Sequence, residues 1–333
     1  MTDAPLTLAT VVHGAELPLL AWQARSLALH GRGAGIARIL IILNDVDAAQ
    51  LRARLDAITP LYGPLADRVE VLSSAALFED ARARGLRQHG LRLLARYPVL
   101  QGLRRSGWRG NDGWRLQQAC KLAIAARIDT PYTLLLDAKN IFLRPLEAGD
   151  FISPDGRART WFSRHDPQSE AWMKRSAAAL GQPRHPLAPE ITTYITPFTA
   201  ETRMLRDVLA AIEARHGPVG HFFAFRLNNV TEFMLINAYC NARLGGVRRV
   251  FADGGLRSYT IWGDPDLMMR ILREAQEVSA KCIGLHRRAL PQLDAPLRAL
   301  TADLLIAGGV IAAPQELDHL IAELAPPAQA AAA

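Results

Sequence analysis

Three short runs of strand-forming apolar residues, Leu6–Val12 (LTLATVV), Ile36–Leu43 (IARILIIL) and Arg68–Leu72 (RVEVL), are spaced so that each pair encloses one helical stretch. This spacing restricts the fold more than any other feature of the chain. Leu17, Leu20, Ala24 and Leu27 recur at helical period, so Leu17 to about His30 reads as an amphipathic helix, with Pro18 in its first turn and Gly31, Gly33 and Gly35 ending it. Leu51, Leu55 and Ile58 mark a second helix. Strand, helix, strand, helix, strand with few hairpin turns predicts right-handed βαβ units, hence an α/β fold whose mixed, mostly parallel sheet is flanked by helices.

Such sheets bind ligands beyond the carboxyl ends of their strands. A fourth apolar run, Tyr132–Leu136, ends in a polar cluster of Asp137, Lys139 and Asn140. The helix before it, from Trp114 to the stop at Asp129-Thr130-Pro131, carries Gln117, Gln118 and Lys121 on one side and Leu116, Ala119, Ala123 and Ile124 for the core. His13 follows the first strand, and Asn44 and Asp45 follow the second. A carboxylate at the end of a buried strand must be solvated, paired or bound to ligand, so Asp137 either meets a ligand or pairs internally with Lys139, Arg144 or Lys121. Gln117, Gln118 and Lys121 either reach that ligand or form a solvated face, and Asn44 and Asp45 either bind or serve loop and N-cap roles.

Farther along, the pattern predicts a strand at Arg159–Ser163, a helix at Ser169–Leu180, a Pro-rich connection at Gly181–Pro189 and a strand at Thr192–Phe198 with Pro197 at a sheet edge. Thr199 suits the cap of a helix through Leu205, Val208, Leu209 and Ile212 to Gly217. Phe233, Ile236, Cys240 and Leu244 define another helix, Arg248–Phe251 a strand, and Cys282–Leu285 a last strand that delivers His286. Leu290–Leu324 reads as helical, and the Ala-rich tail 325–333 as disordered.

The net charge of +7 is local in origin: eight arginines, from Arg82 to Arg109, occur between Ala81 and Asn111 with no acid among them, which leaves the rest of the chain at −1. One basic patch on a near-neutral α/β chain argues for a single anionic partner and against nucleic acid. The patch suits a polyanionic glycan, a lipid-linked diphosphate held by peripheral association with the inner face of the membrane, or only solvent. Trp108 and Trp114 border it, as sugar-stacking, lid or core residues. The chain starts without a basic leader segment and holds no apolar stretch near the roughly 20 residues of a membrane span. Three cysteines at wide spacing predict buried, reduced thiols in a cytoplasmic protein.

The segment GWRLQQACKLAIAARIDTPYTLLLDAKNIFLRPL resembles the helix–strand–DxD region of a largely uncharacterised bacterial family of GT-A-type glycosyltransferase-like proteins, in which Trp, paired Gln and Lys precede the strand. Trp161-Phe162, Trp172, Thr192–Phe198 and Thr231-Glu232-Phe233 follow in the family's order, so the resemblance spans roughly residues 7 to 290. It implies a GT-A-like domain over 1–290 with residues 81–113 as a helical or loop insertion, followed by C-terminal helices over 291–324. It implies transfer from a nucleotide-sugar donor to a glycan or lipid-linked acceptor, in polysaccharide biosynthesis. The implied donor contacts are His13, Asn44, Asp45, Gln117, Gln118, Lys121, Asp137, Lys139, Asn140, His286 and Arg287. Glu232 holds the family's acidic position and reads as the catalytic base or as an acid that complements its helix dipole. Asp137 and His286 are the candidate ligands of a divalent Mn or Mg ion. The chain departs from the family at Lys139, where an acid is usual: a cation there repels a metal and suits the diphosphate itself, which points to metal-independent transfer with Lys139 as the electrostatic stabiliser. A catalytically degenerate protein that binds a nucleotide sugar or glycan is the alternative. Nucleotidyl transfer is disfavoured because His13-Gly14-Ala15-Glu16 lacks the Gly-rich basic signature of those enzymes.

Overall fold

Strand β1 (Leu6–Val12) is buried along its whole length, as an apolar run covered on both faces must be. It pairs in parallel with β2 (Ile36–Leu43) on one side and with β4 (Tyr132–Asp137) on the other. β3 (Val69–Ser73) extends the sheet in parallel beyond β2, and β9 (Phe198–Glu201) closes the far edge antiparallel to β4, giving the order β3-β2-β1-β4-β9. The mixed, mostly parallel sheet flanked by helices is the expected fold class. The computed structural model describes residues 4–45, 48–79, 113–183, 187–225 and 228–324. The arginine run from Arg82 to Arg109, Trp108, most of the expected 81–113 insertion and the tail 325–333 lie outside the described residues.

Helix α1 (Leu17–His30) turns Leu20, Ala24 and Leu27 inward together with two fully buried polar residues, Gln23 and Ser26. α2 (Ala48–Ile58) and α3 (Ser74–Glu79) follow β2 and β3. α4 (Gly113–Ala123) packs on β1 and delivers the chain to β4. After β4 come β5 (Asn140–Phe142), β6 (Ala158–Thr160) and β7 (Phe162–Arg164). α5 (Pro167–Ala179) is capped by Asp166, whose carboxylate accepts the Ser169 N–H at 2.7 Å. Past β8 (Glu190–Thr192) and β9 run α6 (Thr202–His216), α7 (Val219–Ala224), α8 (Glu232–Arg243) and α9 (Val247–Val250). The chain ends through β10 (Phe251–Asp253), β11 (Ser258–Ile261), α10 (Pro265–Glu277), β12 (Cys282–Leu285), α11 (Ala295–Ala307) and α12 (Pro314–Leu324), with α12 packed back on α1. Among the described residues no helix is long and apolar enough to cross a membrane, and the three cysteines are buried.

Four expectations change. The strand expected over Thr192–Phe198 is two strands, β8 and β9, separated by 193–197, because Pro197 has no N–H for a ladder. Thr199 lies within β9, where it pairs with Leu134, and the helix it was expected to cap starts only at Thr202. The strand expected at Arg248–Phe251 is one helical turn, α9, entered through Gly246 at φ 114° and followed by β10. The Arg159–Ser163 strand divides at the exposed Trp161, β6 pairing with β10 and β7 with β8.

Candidate active site

The strand order reverses at β1: β2 and β3 lie to one side, and the chain then crosses to β4 on the other. That switch point opens a crevice at the carboxyl ends of the strands, where sheets of this kind bind ligands. The register Val11↔Asp137 brings the end of β4 level with the end of β1, and the Asn44 N–H donates to Val12 O at 2.9 Å. His13, Asn44, Asp45 and Asp137, far apart in sequence, therefore lie together at the carboxyl edge of the sheet.

Asp137 is its centre. Oδ1 accepts from Lys121 Nζ at 2.7 Å and Gln117 Nε2 at 3.1 Å; Oδ2 accepts from Lys139 Nζ at 2.5 Å and the Thr196 hydroxyl at 2.9 Å. Its backbone is held too, the N–H donating to Asn140 Oδ1 at 2.9 Å and the carbonyl accepting from Gln23 Nε2 at 2.7 Å. Burial alone would push this carboxyl up, but the adjacent Lys121 and Lys139 ammoniums outweigh it and hold it well below the usual carboxylate range. The internal pairing read from the sequence is thus present, with two of the three partners named there.

Lys121 bridges two acids. Its Nζ also lies 3.2 Å from Glu232 Oε1, and the Gln118 amide, oriented so that both its atoms are satisfied, donates to Glu232 Oε2 at 3.2 Å and Val230 O at 3.1 Å. Thr231 caps α8 by accepting the Met234 N–H, which places Glu232 in the first turn. Only 4% of the Glu232 side chain is exposed. Burial raises its carboxyl above the ordinary value, with Lys121 opposing. Burial would lower the Lys121 ammonium, but Asp137 and Glu232 together raise it.

A three-stranded sheet, β11-β12-β5, forms the other wall. Gly284 pairs with Asn140, and the Leu285 N–H donates to Lys139 O at 2.8 Å, so His286 and Arg287 emerge beside Lys139. Burial, then the positive charge of Lys139 and Arg288, lowers the His286 imidazole to about 4, so the ring is neutral at pH 7. Its Nδ1 accepts the Arg288 N–H at 3.3 Å, which puts the ring proton on Nε2. On the opposite wall Glu16 is half-buried, its carboxyl raised first by burial and also by Asp137, with Arg287 and Lys139 opposing.

These donors do not fit a divalent Mn or Mg ion. Both oxygens of Asp137 are occupied, two of their four partners being ammoniums, whereas such ions take oxygen-rich shells. His286 carries its proton on the nitrogen that would have to ligate. Among the described residues no three His, Cys, Asp or Glu side chains converge as a metal group.

Toward β2 the crevice holds a second polar set. His13 Nε2 lies 3.2 Å from Asp45 Oδ2, which also accepts the Gly14 N–H at 3.1 Å. Gly14 suits this approach, since a Cβ there would stand 2.9 Å from the same oxygen. Asn44 is buried, with Nδ2 donating to Gly113 O at 3.1 Å and its Oδ1 unpartnered among the described residues.

Asn140 is the expected donor contact that turns inward: fully buried, it bonds the Asp137 N–H through Oδ1 and Thr196 O through Nδ2 at 3.0 Å. Trp114 is 49% exposed at the start of α4 and meets Trp172 at 6.3 Å between ring centroids, the planes tilted by 37°. Arg144 pairs away from the crevice, with Ala307 O. Sequence reasoning missed Gln23, Thr196 and Glu16. Gln23 had a signal, a polar residue on the inward face shared by Leu20 and Leu27; Thr196 had none, because its place depends on the break after β8.

In sequence, no curated protein matches the chain. Among solved structures, the galactosyltransferase LgtC, in complex with donor and acceptor sugar analogs, is similar at 12% identity and TM-score 0.43, covering 94% of this chain and 99% of its own. Mouse xyloside xylosyltransferase 1 in its apo form is similar at 11% identity and TM-score 0.38, over 85% and 98% of the two chains. Glucosyl-3-phosphoglycerate synthase from Mycobacterium tuberculosis, in complex with Mn2+, UDP-glucose and phosphoglyceric acid, is similar at 15% identity and TM-score 0.35, over 92% and 81%. Residues 19–255 match the model described as Family of unknown function (DUF6492), and the chain belongs to that family.

Proposed function

We propose that the crevice between β1 and β4 binds a nucleotide sugar and that the protein, with a GT-A-like arrangement, transfers the sugar to a glycan or lipid-linked acceptor. One observation carries this reading: the register Val11↔Asp137 brings a carboxylate bearing two ammoniums to the topological switch point of a mostly parallel sheet. The resemblance of the α4–β4 segment to GT-A-type proteins supports the same chemistry.

The two lysines divide the work. Lys121, at 5% exposure and shared by Asp137 and Glu232, is a fixed structural cation. Lys139, at 20% exposure and tied to one oxygen, exchanges Asp137 Oδ2 for a phosphate oxygen of the donor. Arg287, whose charge reaches Glu16 together with that of Lys139, adds a second cation at this wall. The nucleoside lies toward β2, against His13, Asn44 and Asp45. As the bond from the anomeric carbon to the diphosphate breaks, negative charge collects on the leaving diphosphate and Lys139 offsets it, in the role a divalent ion would otherwise fill. The acceptor hydroxyl forms the new bond and gives up its proton. Glu232 takes that proton, its Oε1 freed as Lys121 keeps only its shorter contact to Asp137. The arginines 82–109 support an anionic acceptor or attachment at a membrane surface, tested by the salt dependence of acceptor binding.

Thermal-shift screening of nucleotide sugars with and without Mn2+ identifies the donor. Turnover of that donor in EDTA, with severe loss in Lys139→Ala, is the expected result; strict dependence on Mn2+ or Mg2+ would overturn the metal-free mechanism. A binding protein without turnover is the second reading, favoured by the complete saturation of Asp137 and the burial of Glu232. Donor binding with neither hydrolysis nor transfer across an acceptor panel would select it.

A further inference from the structure

At the far wall of the crevice one large apolar side chain faces water with no apparent structural use. Trp262 is 62% exposed, more than any other large apolar residue among those described. Its place is fixed by pairing: β11 runs parallel to β12 with Ile261 opposite Leu285, so Trp262 and His286 are the next residues on adjacent strands. The indole meets the imidazole edge-on, at 5.6 Å between ring centroids and 73° between planes. Leu285 is the residue whose N–H binds Lys139 O, so this aromatic pair adjoins the Asp137–Lys139 centre.

The turn that carries Trp262 is shaped by the three residues after it. Gly263 adopts φ 94°, which suits glycine; Asp264 caps α10 by accepting the Leu267 N–H at 2.9 Å, and Pro265 fills its first position. Large apolar residues are often exposed singly; what sets Trp262 apart is its pairing with an imidazole beside the Asp137–Lys139 centre. The His286 ring is oriented as well, with Nδ1 bonded to the Arg288 N–H and the donor Nε2–H on the opposite edge.

We propose that Trp262 and His286 form the acceptor subsite and that its occupant is a pyranose ring, its C–H face packed on the indole and a hydroxyl accepting the Nε2–H. The chemistry selects that occupant: a flat apolar face beside a single neutral donor matches a polyhydroxylated ring, which offers C–H groups on one face and oxygens at its edge. The subsite rests on the reading of the Asp137–Lys139 centre as the donor site, for it is its nearness to that centre that makes it the acceptor's.

Saturation-transfer NMR of the full chain with methyl glycosides of glucose, galactose, mannose and N-acetylglucosamine tests the subsite. The expected result is transfer to ring C–H protons of at least one glycoside, lost in Trp262→Ala, retained in Trp262→Phe and weakened by about tenfold in affinity in His286→Ala. No transfer from any glycoside, or transfer unchanged in Trp262→Ala, would overturn it. Nucleoside diphosphate binding, measured on the same samples, reports on the donor site separately: a Trp262-dependent glycoside signal without nucleotide binding would leave a sugar subsite and remove its role as the acceptor's.

Discussion

Lys139 Nζ lies 2.5 Å from Asp137 Oδ2, on the oxygen that Lys121 leaves free. One carboxylate at the end of a buried strand therefore carries two ammoniums, and each leads to different physics. The more buried cation is shared with Glu232, and the more exposed one is the one proposed to exchange Asp137 for a ligand.

Asp137→Asn tests the structural half. It removes the common partner of both lysines, and breaking such a buried pair costs about 3 kcal/mol at pH 7. The Asp137 carboxyl is held below its ordinary value in the folded state. Its stabilisation is therefore complete above the unfolded carboxylate value of about 3.9 and is lost as pH falls toward the folded one. Urea unfolding at pH 7, 5 and 3 should show the gap between wild type and variant constant from 7 to 5 and narrower at 3. A gap independent of pH would place the stabilisation elsewhere.

Lys121 and Glu232 should be strongly coupled. Lys121→Met leaves two buried carboxylates without their shared cation and costs about 3 kcal/mol. Glu232 holds its proton more tightly folded than unfolded, because burial raises it. Its ionisation therefore costs stability as pH rises from about 4.3, the unfolded value, through the folded one. Glu232→Gln removes that cost, so it should be close to neutral at pH 7, and Lys121→Met/Glu232→Gln should recover at least about 1 kcal/mol over Lys121→Met. Additive effects in denaturant unfolding would contradict the bridge.

Much of this was legible in the sequence. The βαβ spacing gives β1 and β2 to the residue, and apolar periodicity gives α1 and α8, because burial on both faces of a parallel sheet leaves a direct record in residue type. Asp137, Lys121 and Lys139 could be named for the same reason: a charge next to a buried strand needs a partner. What stayed hidden depends on tertiary pairing. Thr196 reaches Asp137 only because the chain breaks before Pro197, and β11 with α10 is unremarkable in sequence until Ile261 is seen opposite Leu285. Glu16 ends a short 3-10 turn that reads in sequence as a connection, and its neighbours Arg287 and Lys139 come from the opposite wall.

His286 should titrate far from its usual range. Burial and the nearby Lys139 and Arg288 charges lower it to about 4. The unfolded ring takes a proton near pH 6.5 and the folded one does not, so this residue lowers stability as pH falls from about 6.5 to 4. Proton NMR should give a ring midpoint about 4 that moves upward in Lys139→Ala, and nitrogen shifts should report the Nε2–H tautomer. A midpoint near 6.5 would show that the ring does not sit against those cations.

The central claim is that this crevice holds a nucleoside diphosphate group on a lysine in place of a metal. Calorimetric titration of wild type and Lys139→Ala with UDP, GDP, CDP, ADP and dTDP, all in EDTA, tests it most directly. One of these should bind the wild type in EDTA and bind Lys139→Ala at least about tenfold more weakly. Binding that appears only when Mn2+ or Mg2+ is restored, or that is equal in the two proteins, would contradict it.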